Sequence, residues 1–218
     1  MQELQKHGLF KFELFFMTMD PGYSKETIKT IKKNAKDLNV PISIFKAPIF
    51  EIVKGEKNSC YLCAKKRRGY LYDYASKNNC NKIALGHHFD DVIETILLNI
   101  LYSGVHQTMM PKLLSKNFEK IELIRPLYLI AEKDIERWQN YHQLTFINCA
   151  CNEIKKDESR VKIKELISKL DKENKYVRKS IFKASENVNL DALLGYKKEQ
   201  KYYSFLEKYD SKKRKNMI

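Results

Sequence analysis

Short apolar runs alternate with helical patterns over the first 125 residues, and this alternation constrains the fold more than any other feature of the sequence. The run at residues 12–19, Phe-Glu-Leu-Phe-Phe-Met-Thr-Met, is almost continuously apolar and predicts a strand buried on both faces. Further short strands are predicted at 42–45, 82–86 and 121–125. Because strands and helices alternate, we predict βαβ units and an α/β fold with a doubly wound, mostly parallel, Rossmann-like sheet.

The helical patterns around these strands have recognisable ends. Ser24 is a good N-cap, and apolar residues follow it at helical spacing. That stripe consists of Ile28, Ile31, Ala35 and Leu38. The segment 91–101 predicts a strongly apolar helix that ends near Gly104. Residues 1–7 read as the end of a helix, and a turn is expected directly after it at Gly8.

The chain divides into two parts of different character. We predict an α/β domain over residues 1–151 and a basic helical region over residues 152–218. Helical patterns with basic outer faces cover 158–170 and 174–185, and a tail rich in Lys and Tyr follows them. No strand is predicted beyond residue 125.

The charge balance is strongly positive, with 41 Lys and Arg against 27 Asp and Glu and a net charge of +14. Such an excess attracts a polyanion such as RNA or DNA. The alternative is that the abundance of Lys and Asn only reflects a nucleotide bias in the genome. No apolar run is long enough to span a membrane and no secretion signal is recognisable, so we expect a cytoplasmic protein without a membrane partner.

The five cysteines form an unusual pattern for a chain of this kind. Their odd number and the lack of a secretion signal argue against disulfides. Two close pairs, Cys60-x-x-Cys63 and Cys149-x-Cys151, indicate soft-metal ligands instead. Thiolates suit either zinc or an iron–sulfur cluster. A structural zinc site that uses all four thiols is therefore the alternative to a functional cluster.

Four consecutive cations directly follow the first cysteine pair. On a helix they point in different directions, so some of them face solvent, and next to thiolates they would attract phosphate. These residues are Lys65, Lys66, Arg67 and Arg68. The alternative is an ordinary solvated helix face.

The turn between the third predicted strand and the apolar helix contains several polar side chains that can bind ligands or transfer protons. In open α/β sheets ligands bind at the carboxyl ends of the strands, where this turn must lie. Gly86 would allow the backbone to approach a ligand, and His87 and His88 follow it. Asp90 and Asp91 lie at the helix start, where a Mg²⁺ ion could bridge them to phosphate. The alternative is a capping box formed by Asp91 with the Glu three residues later.

Four motifs occur in a fixed order along the chain. They are Cys60-x-x-Cys63 with Arg67-Arg68-Gly69, then Lys82-Ile-Ala-Leu-Gly-His-His-x-Asp-Asp91 with Glu94-Thr95, then Met110-Pro-Lys-Leu113, then Ile124-Arg-Pro-Leu127. Together they resemble the tRNA 2-thiocytidine biosynthesis proteins, which belong to the PP-loop ATP pyrophosphatases together with the tRNA-lysidine synthetases. The ordered match covers residues 12–151, and residues 60–95 are its most specific part.

The resemblance implies a sheet of the adenine nucleotide alpha-hydrolase type and an ATP-dependent tRNA sulfurtransferase. Such enzymes adenylate the C2 oxygen of a tRNA cytidine with ATP and Mg²⁺, and sulfur then replaces AMP. The sulfur passes through a 4Fe-4S cluster that is held by three cysteines and has one open iron. The implied partners are tRNA and a sulfur donor such as a cysteine desulfurase. Relatives include dimers, so a homodimer is left open.

The resemblance also assigns roles to individual residues. The cluster ligands would be Cys60, Cys63 and Cys151, with Cys149 as the alternative third ligand. The catalytic residues would be Asp90, Asp91 and His88. The nucleotide would contact Asp20, Gly86 and His87, and tRNA phosphates would contact Lys65, Lys66, Arg67, Arg68 and the basic C-terminal helices.

Two departures from the family pattern affect these expectations. The Ser-Gly-Gly-x-Asp-Ser turn, whose amides cradle ATP phosphates, does not occur in the sequence, and each lost amide contact would cost about 1.5–3 kcal/mol. We therefore expect either a truncated reading frame or a start that lies further upstream. The final cysteines are spaced C-x-C, where many relatives have C-x-x-C. Two alternatives stay open: a related sulfurtransferase with another substrate, and an inactive RNA-binding remnant that carries a cluster or zinc.

Overall fold

A computed structural model describes residues 1–56, 59–115, 117–118, 120–147, 158–207 and 209–210, with the backbone alone at 59 and 60. The helices are α1 (Gln2–His7), α2 (Lys25–Asp37), α3 (Ile49–Val53), α4 (Ser59–Lys77), α5 (Phe89–Ser103), α6 (Glu132–Tyr141), α7 (Glu158–Glu173) and α8 (Val177–Ala184). The strands are β1 (Phe16–Asp20), β2 (Ile42–Lys46), β3 (Lys82–Ala84), β4 (Lys112–Leu114), β5 (Glu122–Ile124), β6 (Gly195–Lys198) and β7 (Lys201–Ser204).

The predicted parallel strands form two small sheets. β1 and β2 pair in parallel, with Phe16 opposite Ile42 and Asp20 opposite Lys46. β3 and β5 also pair in parallel, and helices connect the strands, as expected for βαβ units. β1 begins four residues later than predicted, and Met19 is its only buried residue. The expectation that it is buried on both faces is wrong, because the other four residues of β1 are only partly buried.

A third strand, β4, pairs antiparallel with β5 and was not predicted. All three residues of β4 are exposed, so its sequence lacks the apolar signal of a buried strand. The order of this sheet is β3-β5-β4, which makes β4 an edge strand. Short exposed edge strands are difficult to recognise because packing does not select their side chains.

The helix ends follow local rules. The N–H of Thr27 donates to the Ser24 hydroxyl at 3.2 Å, which confirms Ser24 as the N-cap of α2. α5 ends at Gly104, whose φ of 62° is the left-handed conformation that glycine adopts freely. α5 starts at Phe89, two residues earlier than predicted, because His88 is its N-cap.

The C-terminal helices α7 and α8 pack on α5. Ile163 and Ile167 of α7 and Ile93 of α5 are each at most 3% exposed and share one apolar cluster. Full burial of each such side chain stabilises the fold by about 1.5–3 kcal/mol. Phe182 of α8 contacts Phe89 of α5, with ring centroids 5.4 Å apart. Residues on either side of the predicted boundary at 151 therefore share a core.

A β-hairpin follows the C-terminal helices, although no strand was predicted beyond residue 125. β6 and β7 pair antiparallel, and Tyr196 stacks on Tyr203 with ring centroids 5.1 Å apart. The two-residue turn is Glu199-Gln200, and both residues have positive φ. Hairpin turns of this type usually contain Asn or Gly, so the usual sequence signal is absent here. None of the described helices is long and apolar enough to cross a membrane.

A candidate active site at the carboxyl end of the sheet

The parallel pair β3–β5 brings two chain segments to one edge of the sheet. Leu85 follows β3, and its N–H donates to the carbonyl of Ile124 at 2.9 Å. The segment Gly86-His87-His88 and Arg125 therefore leave the sheet at the same edge, where ligands bind in open α/β sheets. A Cβ added at Gly86 would meet no atom within 4 Å, so this turn borders open space. That space fits the predicted close approach of a ligand.

The start of α5 is built around His88. Its N–H donates to Asp91 Oδ2 at 3.0 Å, so Asp91 caps the helix with His88. The predicted capping pair of Asp91 and Glu94 is wrong, since Glu94 is only 3% exposed and lies next to Lys164 at 4.0 Å. Burial raises the pKa of Glu94, and Lys164 and Arg160 oppose this shift.

The His88 ring lies between the two candidate catalytic carboxylates. Its Nε2 is 3.4 Å from Asp91 Oδ2, and its Nδ1 is 3.8 Å from Asp90 Oδ2. Nδ1 is buried and makes no hydrogen bond with the described protein. The predicted group of His88, Asp90 and Asp91 is therefore brought together at one helix start, with the imidazole between two acidic groups.

Asp90 connects three helices. Its carboxylate accepts a hydrogen bond from the N–H of Glu132, the first residue of α6, at 2.7 Å. It also forms an ion pair with Arg178 of α8. Asp90 is 7% exposed, so both contacts are largely shielded from water. These helices border a cavity of about 360 Å³, lined in part by Asp90, Glu94, Glu132, Lys164, Glu165 and Arg178.

The candidate Mg²⁺ ligands Asp90 and Asp91 both have protein partners in this arrangement. Asp90 already faces Arg178 and the Glu132 N–H, while Asp91 faces the His88 N–H and lies 3.7 Å from Arg160. Magnesium usually keeps several waters and is bound by one or two carboxylates together with substrate phosphates. Among the described residues, no group of three or more His, Cys, Asp or Glu side chains is arranged to hold a metal ion. Magnesium binding stays a prediction from the sequence.

His87 lies beside this group and has a different environment. Its Nδ1 is buried without a hydrogen-bond partner in the described chain. Burial lowers the pKa of His87, and the nearby charge of Arg125 lowers it further. Both effects favour the neutral form of the His87 imidazole.

The first cysteine pair lies near the start of α4. Cys60 and Cys63 are three positions apart on the helix, so they share one face. Cys63 is a free thiol at 7% exposure, next to an apolar cluster that includes Met19 and Val53. Soft thiolates one helical turn apart fit two ligands of an iron–sulfur cluster. Cys149 and Cys151 lie outside the described residues, and the side chain of Cys60 does as well.

The four-cation segment lies on α4 and begins two residues after Cys63. Lys65, Lys66 and Arg68 are exposed, as a phosphate-binding surface requires. Arg67 is half-buried, and its Nη2 lies 3.4 Å from the Tyr23 hydroxyl. The predicted RNA-contacting segment thus presents three of its four cations to solvent.

Asp20 ends β1 and organises the turn after it. Its Oδ1 accepts hydrogen bonds from the N–H groups of Gly22 at 3.0 Å and Tyr23 at 2.8 Å. Gly22 has a φ of 115°, which strongly favours glycine. Because Tyr23 in turn meets Arg67 of α4, Asp20 shapes the sheet edge near the cysteine pair. Contact of Asp20 with a nucleotide stays a prediction.

Three cations from the C-terminal helices reach this site and were not predicted as site residues. Arg160 lies 3.7 Å from Asp91, Arg178 pairs with Asp90, and Lys164 lies 2.9 Å from Glu132. In the sequence, these cations are recognisable only as part of the basic faces of the helical patterns after residue 158. A basic face does not show where its helix packs.

The family model described as a PP-loop domain matches residues 7–170 of the chain. Relatives of one kind cover most of the sequence. The tRNA-cytidine(32) 2-sulfurtransferase of Geotalea uraniireducens is 34% identical over 199 residues, which are 89% of this chain and 79% of the relative. The chain belongs to the tRNA-cytidine(32) 2-sulfurtransferase family of PP-loop proteins.

Other members of the family give the same result. The tRNA-cytidine(32) 2-sulfurtransferase of Coxiella burnetii is 34% identical over 90% of this chain and 78% of its own length. A Francisella tularensis protein of the same name is 35% identical over 88% of this chain and 73% of its own length. The prediction of an enzyme of this class, with a PP-loop domain, is confirmed.

A solved structure confirms the fold. The U34-tRNA thiolase NcsA from Methanococcus maripaludis, determined with its 4Fe-4S cluster, superposes with a TM-score of 0.66. It is 19% identical to this chain, and the match covers 85% of this chain and 64% of NcsA. The predicted Rossmann-like α/β fold of the adenine nucleotide alpha-hydrolase type is therefore correct.

Proposed function

We propose that this protein is an ATP-dependent tRNA sulfurtransferase that thiolates a cytidine at C2. The observation that carries the proposal is the identity of 34% with tRNA-cytidine(32) 2-sulfurtransferases over about 90% of the chain. The site geometry supports it, because His88, Asp90 and Asp91 meet at the ligand-binding edge of the sheet. In this reaction the C2 oxygen attacks the α-phosphorus of ATP and pyrophosphate leaves. Sulfur then attacks C2, and AMP leaves.

The residues at the start of α5 would orient the reacting groups. The two carboxylates flank the His88 imidazole at the edge of the open space beside Gly86. An imidazole in this place can hold or release a proton as the C2 oxygen is activated. Asp90 has a positioning role, since the Glu132 N–H and Arg178 occupy its carboxylate.

The cysteine pair on α4 would hold a 4Fe-4S cluster together with Cys151. When bound, the cluster supplies sulfur through the iron that has no cysteine ligand. The i, i+3 spacing of Cys60 and Cys63 supports this assignment, as does the cluster in the NcsA structure. The low exposure of Cys63 would limit access of water to its thiolate.

The tRNA would bind over the exposed cations of α4. Lys65, Lys66 and Arg68 face solvent directly after the cysteine pair. Phosphate contacts from such cations give affinity and orientation without sequence selection. They would hold the anticodon arm, where position 32 lies, against the site.

A complementation experiment tests the proposal. The chain is expressed in a bacterium that lacks its own tRNA-cytidine(32) 2-sulfurtransferase, and 2-thiocytidine in digested tRNA is measured by mass spectrometry. We expect 2-thiocytidine with the wild-type chain and with the control Cys80→Ser, but none with Cys63→Ser. A soluble, cluster-loaded chain that produces no 2-thiocytidine would refute the proposal. Another thiolated nucleoside in the same digest would instead favour a related sulfurtransferase with a different substrate.

A further inference from the structure

The hairpin β6–β7 lies beyond the part of the chain that the PP-loop family model matches, which ends at residue 170. None of the roles proposed for catalysis or cluster binding falls on it. Its base is closed by the N–H of Phe205, which donates to the carbonyl of Leu194 at 3.0 Å. Within the described residues, each strand of the hairpin has only the other as its hydrogen-bonded partner. A two-stranded hairpin alone is at best marginally stable in water, so a molecule bound to one of its faces would stabilise it.

Strand alternation sorts the side chains of the hairpin onto two faces. One face carries two cross-strand pairs, Tyr196 with Tyr203 and Lys198 with Lys201. The Tyr196 and Tyr203 rings stack, and Lys201 Nζ lies 5.1 Å from the centre of the Tyr203 ring. Both tyrosines are only partly exposed. This face therefore uses its aromatic surface within the hairpin itself.

The opposite face presents Tyr202, which lies directly across the ladder from Lys197. Tyr202 is 55% exposed, and none of the described aromatic rings stacks on it. A Cβ at position 195 would collide with the Tyr202 ring, so Gly195 leaves room for the ring to lie against the backbone. The ring thus rests on the strand while more than half of the residue's surface stays open to another molecule.

The charges of the hairpin indicate the kind of molecule that fits it. Lys197, Lys198 and Lys201 are exposed, and no carboxylate in the described part of the chain forms an ion pair with any of them. Glu199 in the turn is the only acidic residue from 195 to 204. A second copy of this chain, with its net charge of +14, would place like charges opposite these lysines. A polyanion complements them.

An exposed tyrosine beside a lysine matches single-stranded nucleic acid in particular. Every base has a π-face that stacks on an aromatic ring, and neighbouring cations contact the backbone phosphates. In a duplex the bases are stacked on one another, so a ring on a strand face does not reach them. Tyr202 therefore fits an unpaired nucleotide better than a helical stem.

We propose that the hairpin β6–β7 binds an unpaired stretch of RNA, with a base stacked on Tyr202 and the adjoining phosphate contacted by Lys197. Lys198 and Lys201 attract the strand electrostatically from the other face. The choice of RNA rests on the proposed function, in which the substrate is a tRNA. The hairpin itself takes no part in the chemistry, and it contributes affinity for regions of the RNA that are not base-paired.

A direct test needs no substitution. The wild-type chain is mixed with a single-stranded oligouridine, irradiated with ultraviolet light and digested, and the cross-linked peptides are identified by mass spectrometry. We expect a nucleotide adduct on Tyr202. Excess tRNA should compete it away, whereas an RNA duplex of the same length as the oligouridine should not. A chain that cross-links only outside β6–β7, or not at all, would overturn the proposal.

A matched set of variants measures the contribution of the ring. Tyr202 and Tyr102 are both 55% exposed, and Tyr102 lies at the end of α5, far along the chain from the hairpin. We expect Tyr202→Val to weaken oligouridine binding about 10-fold, and Tyr202→Phe, which keeps the ring, less than about 2-fold. Tyr102→Val should bind as wild type does, as measured by fluorescence anisotropy. Equal losses in Tyr202→Val and Tyr102→Val would contradict a stacking site.

The salt dependence of binding tests the lysine. Lys197→Gln should reduce the slope of log K against log salt for oligouridine by about 0.7, the change expected for one phosphate contact on a single strand. The control is Lys77→Gln, which removes the same charge from an exposed pair with Asp73 on α4. Equal changes in the two variants would indicate a general charge effect and contradict the contact.

Two other partners of the hairpin would give different results. If Tyr202→Val lowered binding to vesicles of anionic lipid but not to oligouridine, the hairpin would bind a lipid surface. If Tyr202→Val abolished a concentration-dependent dimer and left oligouridine binding unchanged, the partner would be a second copy of the chain. Either result would overturn the proposal of an RNA-binding hairpin.

Failure of the hairpin proposal is separable from failure of the proposed function. Oligouridine binding that depends on Tyr202, in a chain that makes no 2-thiocytidine, would refute the function and leave the hairpin as an RNA-binding element. Normal formation of 2-thiocytidine by a chain whose hairpin does not cross-link would support the function and overturn the hairpin proposal.

Discussion

Arg178 of α8 forms an ion pair with Asp90 at the start of α5. The Glu132 N–H donates to the same carboxylate at 2.7 Å, so one acidic side chain ties the C-terminal helices and α6 to the candidate active site. Asp90 is 7% exposed, which makes this contact much less screened than a surface ion pair. The C-terminal helices thus have a structural role at the site in addition to any contact with RNA.

Substitution of Arg178 by Gln should destabilise the protein. It leaves the buried Asp90 carboxylate with the Glu132 N–H as its remaining described donor, so we expect a loss of about 2 kcal/mol in the free energy of unfolding. Urea denaturation measures it. The control is Arg137→Gln in the exposed Arg137–Asp134 pair, which should cost about 0.5 kcal/mol or less. If Arg178→Gln and Arg137→Gln lost equal stability, burial of Asp90 would not strengthen its ion pair with Arg178.

Truncation of Ile163 to Ala should destabilise the α/β part of the chain as well as α7. Ile163 is 2% exposed and packs against Ile93 of α5, so we expect a loss of about 2–4 kcal/mol. Trp138, the single tryptophan, lies in α6 on the other side of the predicted boundary at residue 151. Urea unfolding followed by Trp138 fluorescence and by circular dichroism should shift together.

A milder substitution at the same position is the control for that experiment. Ile163→Val should cost only about 1 kcal/mol, because it leaves a smaller cavity. If the Trp138 transition stayed at its wild-type position while circular dichroism showed a second, earlier phase, the region after residue 151 would be an independent unit. That result would favour the predicted division into two domains.

Glu94 should make stability depend on pH in a specific direction. Burial raises its pKa above the ordinary value of 4.5, so the folded state holds the Glu94 proton more tightly than the unfolded state. The contribution of Glu94 to the free energy of unfolding is therefore fully present below pH 4.5. It is lost as pH rises from 4.5 through the pKa of Glu94 in the folded state. Glu94→Gln removes this dependence.

The measurement compares free energies of unfolding for wild type and Glu94→Gln across a pH series. Below the ordinary Glu pKa of 4.5, both proteins carry a neutral side chain at position 94. The difference in their free energies of unfolding there gives the effect of the substitution on packing alone. As pH rises, Glu94→Gln should gain stability relative to wild type. A difference that moves in the opposite direction would mean that the attraction of Lys164, 4.0 Å away, outweighs burial.

Cysteine substitutions should separate cluster ligands from other thiols. We expect Cys60→Ser, Cys63→Ser and Cys151→Ser each to abolish binding of a 4Fe-4S cluster after anaerobic reconstitution with iron and sulfide. Cys80→Ser should retain it, because Cys80 lies beyond the C-terminal end of α4, whereas Cys60 and Cys63 lie near its start. Iron and sulfide analysis with visible absorbance measures the result. Retention in Cys151→Ser with loss in Cys149→Ser would reassign the third ligand, and bound zinc without sulfide would favour a structural zinc site.

Local features were predicted well from the sequence because they depend on neighbouring residues. Ser24 caps α2 through a residue three positions away, and Gly104 ends α5 through its own backbone conformation. The Cys60–Cys63 spacing similarly puts both residues on one face of α4. The hairpin β6–β7 was missed because Glu199-Gln200 forms its turn without Asn or Gly.

The sequence by itself determined the family, the alternation of strands and helices, and the placement of the motifs on α4 and at the start of α5. Only the tertiary structure decided which charges meet there. Arg178 and Arg160 reach the acidic residues of α5 because α7 and α8 bury their apolar faces against that helix. Spacing along the chain determines contacts within one helix or turn, whereas contacts between distant segments depend on how the apolar surfaces pack.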